Sequence, residues 1–391
     1  MKWDYKKSST TPYAPSLASQ MTGCGPTQVT EPGSSRSTLW DMYESLVLAR
    51  LKFQLVAPMV TGNGVVKGRD IVLVGVERDN TIGWGEAAPF PGYSQETVDD
   101  VWLALGKNAD LILKGSLPEM PATAKAALDQ ARWDLAARLA NEPLWSAIGG
   151  LAKPIACRVA VSGKTIPDLL AQVQHAVDND IPAVKVKVMP GRDVAFVEAV
   201  VAKFPELSVA VDANESFDHT AQDVFNGFEA LNLDFIEQPL HRDDLRGHAR
   251  LAARIDTPIA LDESLHSDGM LRKAIDMAAA DLLTVKPGII GISGVLEAKR
   301  LVDNTHMKIR LSGLVESSVG RASTIALATL DGMGPSDLAP TSFYLRGDSC
   351  APPWDSENGS IDPRPDPGIG VVVDIAELED VAVAWGRFTK L

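Results

Sequence analysis

The segment Ala183-Val-Lys-Val-Lys187 is a short apolar stretch in which lysines alternate with valines, as in a strand with one apolar face. Four similar stretches follow, and each ends in an ionisable residue: Val209-Ala-Val-Asp212, Asp234-Phe-Ile-Glu237, Ile259-Ala-Leu-Asp262 and Leu282-Leu-Thr-Val-Lys286. From Lys187 onwards these end residues are 25, 25, 25 and 24 residues apart. This is the period of one strand and one helix in a (β/α)₈ barrel, whose active sites lie at the carboxyl ends of the strands.

Helical patterns separate these strands, which predicts a parallel sheet with crossover helices. We predict helices over residues 167–178, 193–204, 221–231, 244–255, 270–278 and 294–304. The glycine-rich stretch 288–294 is interpreted as the loop before the last of these helices. The fold expected for residues 153–361 is therefore an α/β barrel of the (β/α)7β TIM-like type, which would carry the catalytic residues.

Before the barrel the succession of patterns along the chain is different: strand patterns come first, and a helical pattern over residues 122–140 follows. We therefore predict an α+β capping domain over residues 42–152. Residues 362–391 are expected to return to this cap, with a strand over 368–374 and a short helix after it. The glycine-rich stretch 61–68 is interpreted as a mobile lid. Residues 1–41 are rich in Ser, Thr, Gly and Pro, which predicts a disordered extension.

Composition narrows the class of protein. The chain has 391 residues, enough for a barrel and a smaller domain, and its net charge of −14 with no basic run disfavours nucleic-acid and membrane partners. Cys24, Cys157 and Cys350 lie far apart without CxxC spacing, which disfavours a disulfide framework or a zinc site. The sequence shows no signal peptide or membrane-spanning stretch. We expect a cytoplasmic enzyme, and a homo-oligomer is compatible with this composition.

Three strand ends supply carboxylates, from Asp212, Glu237 and Asp262. A desolvated carboxylate is costly unless it is paired or binds a metal ion. Three oxygen donors on adjacent strands suit Mg²⁺ or Mn²⁺, and no histidine or cysteine shares the pattern, which disfavours zinc. The alternative is that these are ordinary rim carboxylates paired with lysines.

The strand ends also supply three lysines. Lys185 and Lys187 are two residues apart and point to the same face, so we expect each to lower the pKa of the other. Lys286 lies four barrel units beyond them, across the mouth. Two lysines on opposite sides of a metal-bound substrate could abstract a proton α to a carboxylate. The alternative for Lys185 and Lys187 is a solvated strand edge.

Taken together, the strand-end motifs resemble those of the enolase superfamily, in its muconate lactonizing enzyme subgroup, over about residues 45–391. The motifs are Lys185-x-Lys187, Asp212-Ala-Asn214, Glu237-Gln-Pro239, Asp262-Glu263-Ser264 and Lys286-Pro-Gly288. Within the subgroup, the segments Gly83–Glu96 and Leu314–Gly320 are similar to those of the o-succinylbenzoate synthase family.

That resemblance implies a dehydration in menaquinone biosynthesis. The substrate would be 2-succinyl-6-hydroxy-2,4-cyclohexadiene-1-carboxylate and the product 2-succinylbenzoate. It implies Lys187 as the base, Lys286 as a cation that stabilises the enediolate, and Lys185 as an electrostatic support. The metal, Mg²⁺ or Mn²⁺, would be held by Asp212, Glu237 and Asp262. Asn214 and Glu263 would support these ligands, and Ser312 and Gly313 would contact the succinyl tail.

Alternatives within the subgroup stay open. An N-succinylamino acid racemase would use both Lys187 and Lys286 as bases, and both the segment Gly320-Arg321-Ala322 and the 25/25/25/24 spacing resemble a racemase more than a synthase. Racemising relatives often carry arginine where this chain has Ile289, and that difference favours the dehydratase. Another cycloisomerase or epimerase of the subgroup is also compatible, although residues 339–342 lack the acidic pair of dipeptide epimerases. A non-catalytic barrel is disfavoured because every ligand and lysine is present.

Overall fold

The computed structural model describes residues 42–61, 64–91 and 93–390. The predicted extension over residues 1–41 lies outside these residues. The described chain comprises an antiparallel sheet with helices, a larger parallel sheet flanked by helices, and a C-terminal segment that returns to the antiparallel sheet. Within the described ranges, no helix combines the length and the apolar character needed to cross a membrane.

The N-terminal part is the α+β cap that the sequence predicts. Its elements are β1 (Ser45–Thr61), β2 (Gly64–Arg78), β3 (Thr81–Ala87), α1 (Val98–Lys107), α2 (Ala109–Leu113), α3 (Ala122–Leu139) and α4 (Leu144–Ala147). The strands form an antiparallel meander in the order β1, β2, β3. Alternate strand residues such as Leu46, Leu48 and Val74 are fully buried against the helices, where they pack with Leu105 and Leu128.

The second part begins with the short strand β4 (Ile155–Ala156) and continues as alternating strands and helices. The strands are β5 (Arg158–Val161), β6 (Ala183–Lys187), β7 (Ser208–Asp212), β8 (Ile236–Glu237), β9 (Ile259–Leu261), β10 (Leu282–Val285) and β11 (Lys308–Leu311). The helices are α5 (Ile166–Asp178), α6 (Val194–Lys203), α7 (Gln222–Glu229), α8 (Leu245–Arg254), α9 (Asp268–Asp276), α10 (Pro287–Val302) and α11 (Ser318–Ala328). Within the described chain, β5 to β11 form one seven-stranded parallel sheet in chain order.

The segment 334–338 closes this sheet into a ring. The N–H groups of Gly334 and Asp337 donate to the carbonyls of Ile309 and Leu311 in β11, at 2.7 and 2.8 Å. On the other side, the N–H of Arg158 in β5 donates to the carbonyl of Leu338 at 2.8 Å. The segment thus bonds to both edge strands without regular strand geometry. The expected (β/α)7β barrel is confirmed.

Five of the six predicted barrel helices begin and end within two residues of their observed limits. The exception is α10, which begins at Pro287, so the interpretation of residues 288–294 as a loop is wrong. Proline at the first helical position favours this start. The glycines that suggested a loop reflect a break inside the helix, where Gly291 has φ 70° and ψ 178°.

The structure bears on two expectations about the cap, and it leaves the lid role of the first segment a prediction. The predicted lid at 61–68 is largely strand: Met59–Thr61 of β1 pair with Gly64–Val66 of β2, and residues 62–63 lie outside the described chain. The segment 368–374 is not a strand, because Gly368 and Gly370 have positive φ. The C-terminal elements are β12 (Leu345–Arg346), β13 (Ser360–Ile361), α12 (Ile375–Val381) and β14 (Ala384–Thr389), and β12 and β14 pair with β1.

Candidate active site

The ends of β6, β7 and β8 bring Lys187, Asp212 and Glu237 side by side. The strand register pairs Lys187 with Asp212, and Asp212 with Glu237. Nζ of Lys187 donates to Oδ2 of Asp212 at 2.6 Å and to Oδ1 of Asn214 at 2.8 Å. The Lys187 side chain is 36% exposed, whereas those of Lys185 and Lys286 are 5% and 6% exposed. Lys187 is therefore the strand-end lysine that faces the open mouth.

Lys185 lies deeper in the barrel, among carboxylates. Its Nζ forms an ion pair with Glu237, another with Asp337 at 2.5 Å, and a longer one with Asp212 at 3.4 Å. Burial disfavours the charged form, but the three carboxylates outweigh it and raise the pKa of Lys185 well above its usual value. The expectation that Lys187 lowers this pKa is wrong for that reason. Lys185 is a fixed cation, which suits support rather than proton transfer.

Across the mouth, Lys286 follows β10 and forms an ion pair with Asp262, which follows β9. The cap contributes Tyr93 to the same group. The Tyr93 hydroxyl donates to Oδ1 of Asp262 at 2.9 Å, and Nζ of Lys286 lies 4.4 Å from the centre of the Tyr93 ring. Burial and the nearby charge of Asp262 raise the pKa of Tyr93 well above its usual value, so its hydroxyl remains a donor. We did not predict Tyr93, since nothing in the sequence links it to β9.

Two further residues that the sequence did not reveal surround Glu237. Arg310 is fully buried in β11 and forms ion pairs with both Glu237 and Asp337. Thr284 of β10 donates to Oε1 of Glu237 at 2.6 Å. Arg310 could have been noticed as a charged residue inside the apolar strand Lys308–Leu311. Asp337 lies in the irregular closing segment, where no strand pattern identifies it.

Gln238 ties the end of β8 to the end of β9. Its side-chain Oε1 accepts the N–H groups of Asp262 at 2.9 Å and of Ser264 at 3.2 Å. Gln238 is fully buried and has φ 38°, and Asn214 and Glu215 after β7 also have positive φ. Such backbone conformations are unfavourable for non-glycine residues and are concentrated at functional sites.

Asn214 and Glu263 connect the two sides of the mouth. Nδ2 of Asn214 donates to Oε1 of Glu263 at 2.8 Å, while Oε2 of Glu263 is buried without a hydrogen-bond partner among the described residues. Burial, together with the charges of Asp262 and Asp212, raises the pKa of Glu263 to about 8. The side chains around Glu263 therefore do not fully balance the negative charge of the neighbouring carboxylates.

Ser312 and Gly313 follow β11, next to the strand that leads to Lys286. The N–H of Ser312 donates to the carbonyl of Val285 at 3.1 Å, which extends the pairing of β10 and β11. The loop continues to Val315, whose φ of 59° is unusual for a β-branched residue. Nε of Arg69, from the cap, donates to the Val315 carbonyl at 3.3 Å. The loop that carries the two predicted substrate contacts is therefore tied to the cap.

Comparison with known proteins gives the family. Residues 168–378 match the family model "Enolase C-terminal domain-like", and residues 45–128 match "MenC, N-terminal domain". The first match alone spans more than half of the chain. The chain belongs to the enolase superfamily. It is therefore an enzyme of this superfamily, and the resemblance drawn from the strand-end motifs is confirmed.

Two relatives of this enolase-superfamily enzyme have different activities. The chain is 36% identical over 369 residues to an o-succinylbenzoate synthase of Geobacillus kaustophilus, covering 89% of this chain and 97% of the relative. It is 31% identical over 363 residues to an N-succinylamino acid racemase of Thermus thermophilus, covering 88% and 98%. Among solved structures, an enolase-superfamily member from Listeria innocua matches with a TM-score of 0.81 and 26% identity, covering 89% and 99%.

The residues present suit a divalent cation. Members of the superfamily use a divalent metal, and one solved structure of this fold, a dipeptide epimerase from Cytophaga hutchinsonii, is a complex with Mg (TM-score 0.80, 21% identity, 89% and 99% covered). In the described part of this chain, no three His, Cys, Asp or Glu side chains converge as metal ligands; Asp212, Glu237 and Asp262 each turn to a lysine instead. The oxygen-only donors and the unpartnered oxygen of Glu263 fit Mg²⁺ or Mn²⁺.

Proposed function

We propose that this protein is a metal-dependent dehydratase that converts 2-succinyl-6-hydroxy-2,4-cyclohexadiene-1-carboxylate to 2-succinylbenzoate. The observation that carries the proposal is the position of the lysines: Lys187 ends β6 and Lys286 follows β10, four strands away in the ring. Each is hydrogen-bonded to a carboxylate of the proposed metal site. The 36% identity to an o-succinylbenzoate synthase and the match to the MenC N-terminal domain model support this reaction.

In this proposal each of the three lysines has a separate role. The amine of Lys187 takes the proton α to the carboxylate, and the electron pair of that C–H bond moves into the carboxylate to give an enediolate. The Lys187 ammonium then returns the proton to the departing hydroxide, so that water leaves and the ring becomes aromatic. Lys286 stays protonated and donates a hydrogen bond to the enediolate, while Lys185 holds Glu237 and Asp337 in place.

Asp212, Glu237 and Asp262 would hold the metal ion, with Asn214 and Glu263 supporting them, and Ser312 and Gly313 would contact the succinyl tail. A bound divalent cation supplies positive charge beside the substrate carboxylate and lowers the cost of forming a dianion there. Binding can be measured without substrate: Mn²⁺ titrated into metal-free protein should bind one equivalent, and Glu237→Gln should weaken binding.

Parallel assays of dehydration and of α-proton exchange on N-succinyl amino acids test the function. In the presence of Mg²⁺, Lys187→Ala should reduce dehydration by at least about 10³-fold, the upper range of general-base contributions. Lys107→Ala, an exposed lysine on cap helix α1, is the matched control. Dehydration that survives Lys187→Ala, or activity that is unaffected by EDTA, would refute the proposal.

N-succinylamino acid racemisation is the second candidate. The arrangement of Lys187 and Lys286 at opposite sides of the ring suits a reaction that removes a proton from one face and returns it to the other. The 31% identity to a Thermus thermophilus racemase supports it. If racemisation is the main activity, both Lys187→Ala and Lys286→Ala should abolish it, whereas each should leave single-face exchange by the remaining lysine.

A further inference from the structure

Cap helix α3 touches the backbone immediately after Lys286. The side chain of Gln130 is 1% exposed, and its Nε2 donates to the carbonyl of Pro287 at 3.1 Å. Its Oε1 accepts the N–H of Glu86 in β3 at 3.2 Å. One buried amide therefore joins the edge of the cap sheet to the first residue of α10. A buried amide left without partners costs about 1–3 kcal/mol, so both contacts constrain the Pro287 peptide.

The geometry of Pro287 transmits this constraint to Lys286. The proline ring fixes φ, and the peptide bond between Lys286 and Pro287 is planar. The carbonyl of Lys286 accepts the N–H groups of Ile289 and Ile290, at 2.9 and 3.2 Å, and closes a single tight turn. A shift of the Pro287 carbonyl therefore rotates this turn, and with it the Cα–Cβ bond of Lys286.

A break separates the first turn of α10 from the rest of its helix. Gly291 interrupts the helix at φ 70° and ψ 178°. Beyond the break, Asp129 accepts the N–H and the hydroxyl of Ser293 at 2.9 and 2.6 Å, and Nε1 of Trp133 donates to the same hydroxyl at 2.9 Å. The cap thus holds the two halves of α10 separately: Asp129 and Trp133 hold the second half, and Gln130 holds the turn next to Lys286.

A small cleft between cap and barrel lies at this point, lined by Glu86, Gln130, Gly288 and Gly313 among others. Two of these residues are glycines that follow Lys286 and Ser312 within two positions. These glycines contribute no side chain that could hold the backbone in place, so the hydrogen bond from Gln130 is one of the restraints on it.

We propose that Gln130 is a positioning residue for Lys286: it fixes the ammonium of Lys286 at the barrel mouth through the Pro287 carbonyl. The role of Lys286 in the reaction rests on the proposed function, but the contact from Gln130 does not. The inference applies to Lys286 and not to Lys187, since the side-chain hydrogen bonds of Gln130 among the described residues lead to Glu86 and Pro287 and not to β6.

Lysine reactivity tests the inference independently of any activity. Wild type, Gln130→Met and Trp133→Phe are labelled at pH 8 in Mg²⁺ with trace isotopic acetic anhydride, and labelling of each lysine is read by mass spectrometry. Gln130→Met should raise labelling of Lys286 relative to Lys187 by about fivefold, the effect of losing one net hydrogen bond. Trp133→Phe, which removes a contact beyond the break, should leave that ratio unchanged. An unchanged ratio in Gln130→Met, or an equal change in the control, overturns the inference.

Stereospecific exchange gives a second readout. Each enantiomer of an N-succinyl amino acid is incubated in D₂O, and Lys187→Ala and Lys286→Ala identify which enantiomer each lysine deprotonates. Gln130→Met should slow exchange on the Lys286 enantiomer about fivefold more than on the other. Equal slowing of both would indicate a merely structural role and overturn the inference. If wild type exchanges neither enantiomer and dehydrates nothing, the proposed function fails, and the labelling ratio alone decides the role of Gln130.

If Gln130→Met does not yield folded protein, Gln130→Asn replaces it in both measurements. Asparagine keeps the amide but is one methylene too short to reach both the Glu86 N–H and the Pro287 carbonyl. The same rise of the Lys286 to Lys187 labelling ratio is expected, and its absence counts against the inference in the same way.

Discussion

The hydroxyl of Tyr93 donates a 2.9 Å hydrogen bond to Oδ1 of Asp262, a contact between residues 169 positions apart. The ring of the same tyrosine lies against Nζ of Lys286, which pairs with Asp262. A side chain of the cap is therefore part of the polar group at the end of β9 and β10. The cap does more than cover the barrel: it contributes one of the contacts that orient a proposed metal ligand.

Tyr93→Phe should separate the two contacts of this side chain. The variant keeps the ring over Lys286 and removes the hydrogen bond to Asp262, so kcat/KM for dehydration should fall by roughly threefold to tenfold. Tyr93→Leu removes both contacts and should cause a clearly larger loss. Steady-state kinetics at saturating Mg²⁺ provide the comparison, and equal activity of Tyr93→Phe and wild type would show that the hydroxyl is dispensable.

Glu86 should make stability depend on pH. It is buried in β3 and accepts the N–H and hydroxyl of Ser317 and the N–H of Gly320, at 2.9, 2.5 and 3.0 Å, at the start of α11. Burial outweighs these bonds and raises its pKa to about 7. Since the folded state then binds this proton more tightly than the unfolded state, the contribution is fully present below the ordinary pKa of glutamate. It is lost as pH rises to about 7, by roughly 3 kcal/mol in all.

Urea unfolding of wild type and Glu86→Gln at several pH values between 4.5 and 8 measures this contribution. The free energy of unfolding of Glu86→Gln should fall less steeply with rising pH than that of wild type. Glu198→Gln, at an exposed position on α6, controls for the loss of one negative charge. Parallel slopes for wild type and Glu86→Gln would contradict the assignment.

Arg310→Met should destabilise the fold strongly. Arg310 is fully buried between Glu237 and Asp337, so its removal leaves buried carboxylates with less compensation. Breaking a buried pair in this way costs about 3–5 kcal/mol. Arg300→Met removes an exposed ion pair with Glu297 and should leave the free energy of unfolding nearly unchanged. Chemical denaturation of both variants checks the contrast, which a small loss for Arg310→Met would contradict.

Ile289→Arg should shift the balance between the two candidate activities. Ile289 lies in the first turn of α10, three residues after Lys286, and a guanidinium there would disfavour the charged form of Lys286. Proton exchange on the Lys286 face of N-succinyl amino acids should rise by about tenfold, the effect of about 1.4 kcal/mol of added charge repulsion. Leu103→Arg, which adds the same charge at an exposed position of cap helix α1, is the control. A rise in both variants, or in neither, would show that position 289 does not set the balance.

Much of the arrangement of the candidate site was predictable because it follows a period. The strand register places Lys187 beside Asp212, and Asp212 beside Glu237. The next two strands are followed by Asp262 and Lys286, as the spacing of these residues indicates. The barrel itself follows from the same alternation. These relationships are local in the chain, since each depends on one strand, one helix and the next strand.

Two of the residues that were missed come from outside that period. Tyr93 comes from the cap, and Asp337 comes from a closing segment with no alternation of apolar and polar residues. Whether they reach the barrel mouth depends on how the ring closes and how the cap is oriented, which no local pattern encodes. The expected effect of Lys187 on Lys185 failed for a related reason, because Asp337 could not be included in the charge balance.

Two carboxylates of the cap accept hydrogen bonds at the starts of barrel helices. These contacts also affect whether the cap can be exchanged with that of a relative. Glu86 supplies the acceptors at the start of α11, and Asp129 does the same after the break in α10. A chimera that joined this barrel to a foreign cap lacking these two acids would leave both helix starts unsatisfied. The cap and the barrel are therefore expected to have diverged together. An exchange of caps between homologues should succeed only where positions 86 and 129 are transferred together with the helices α11 and α10 that they contact.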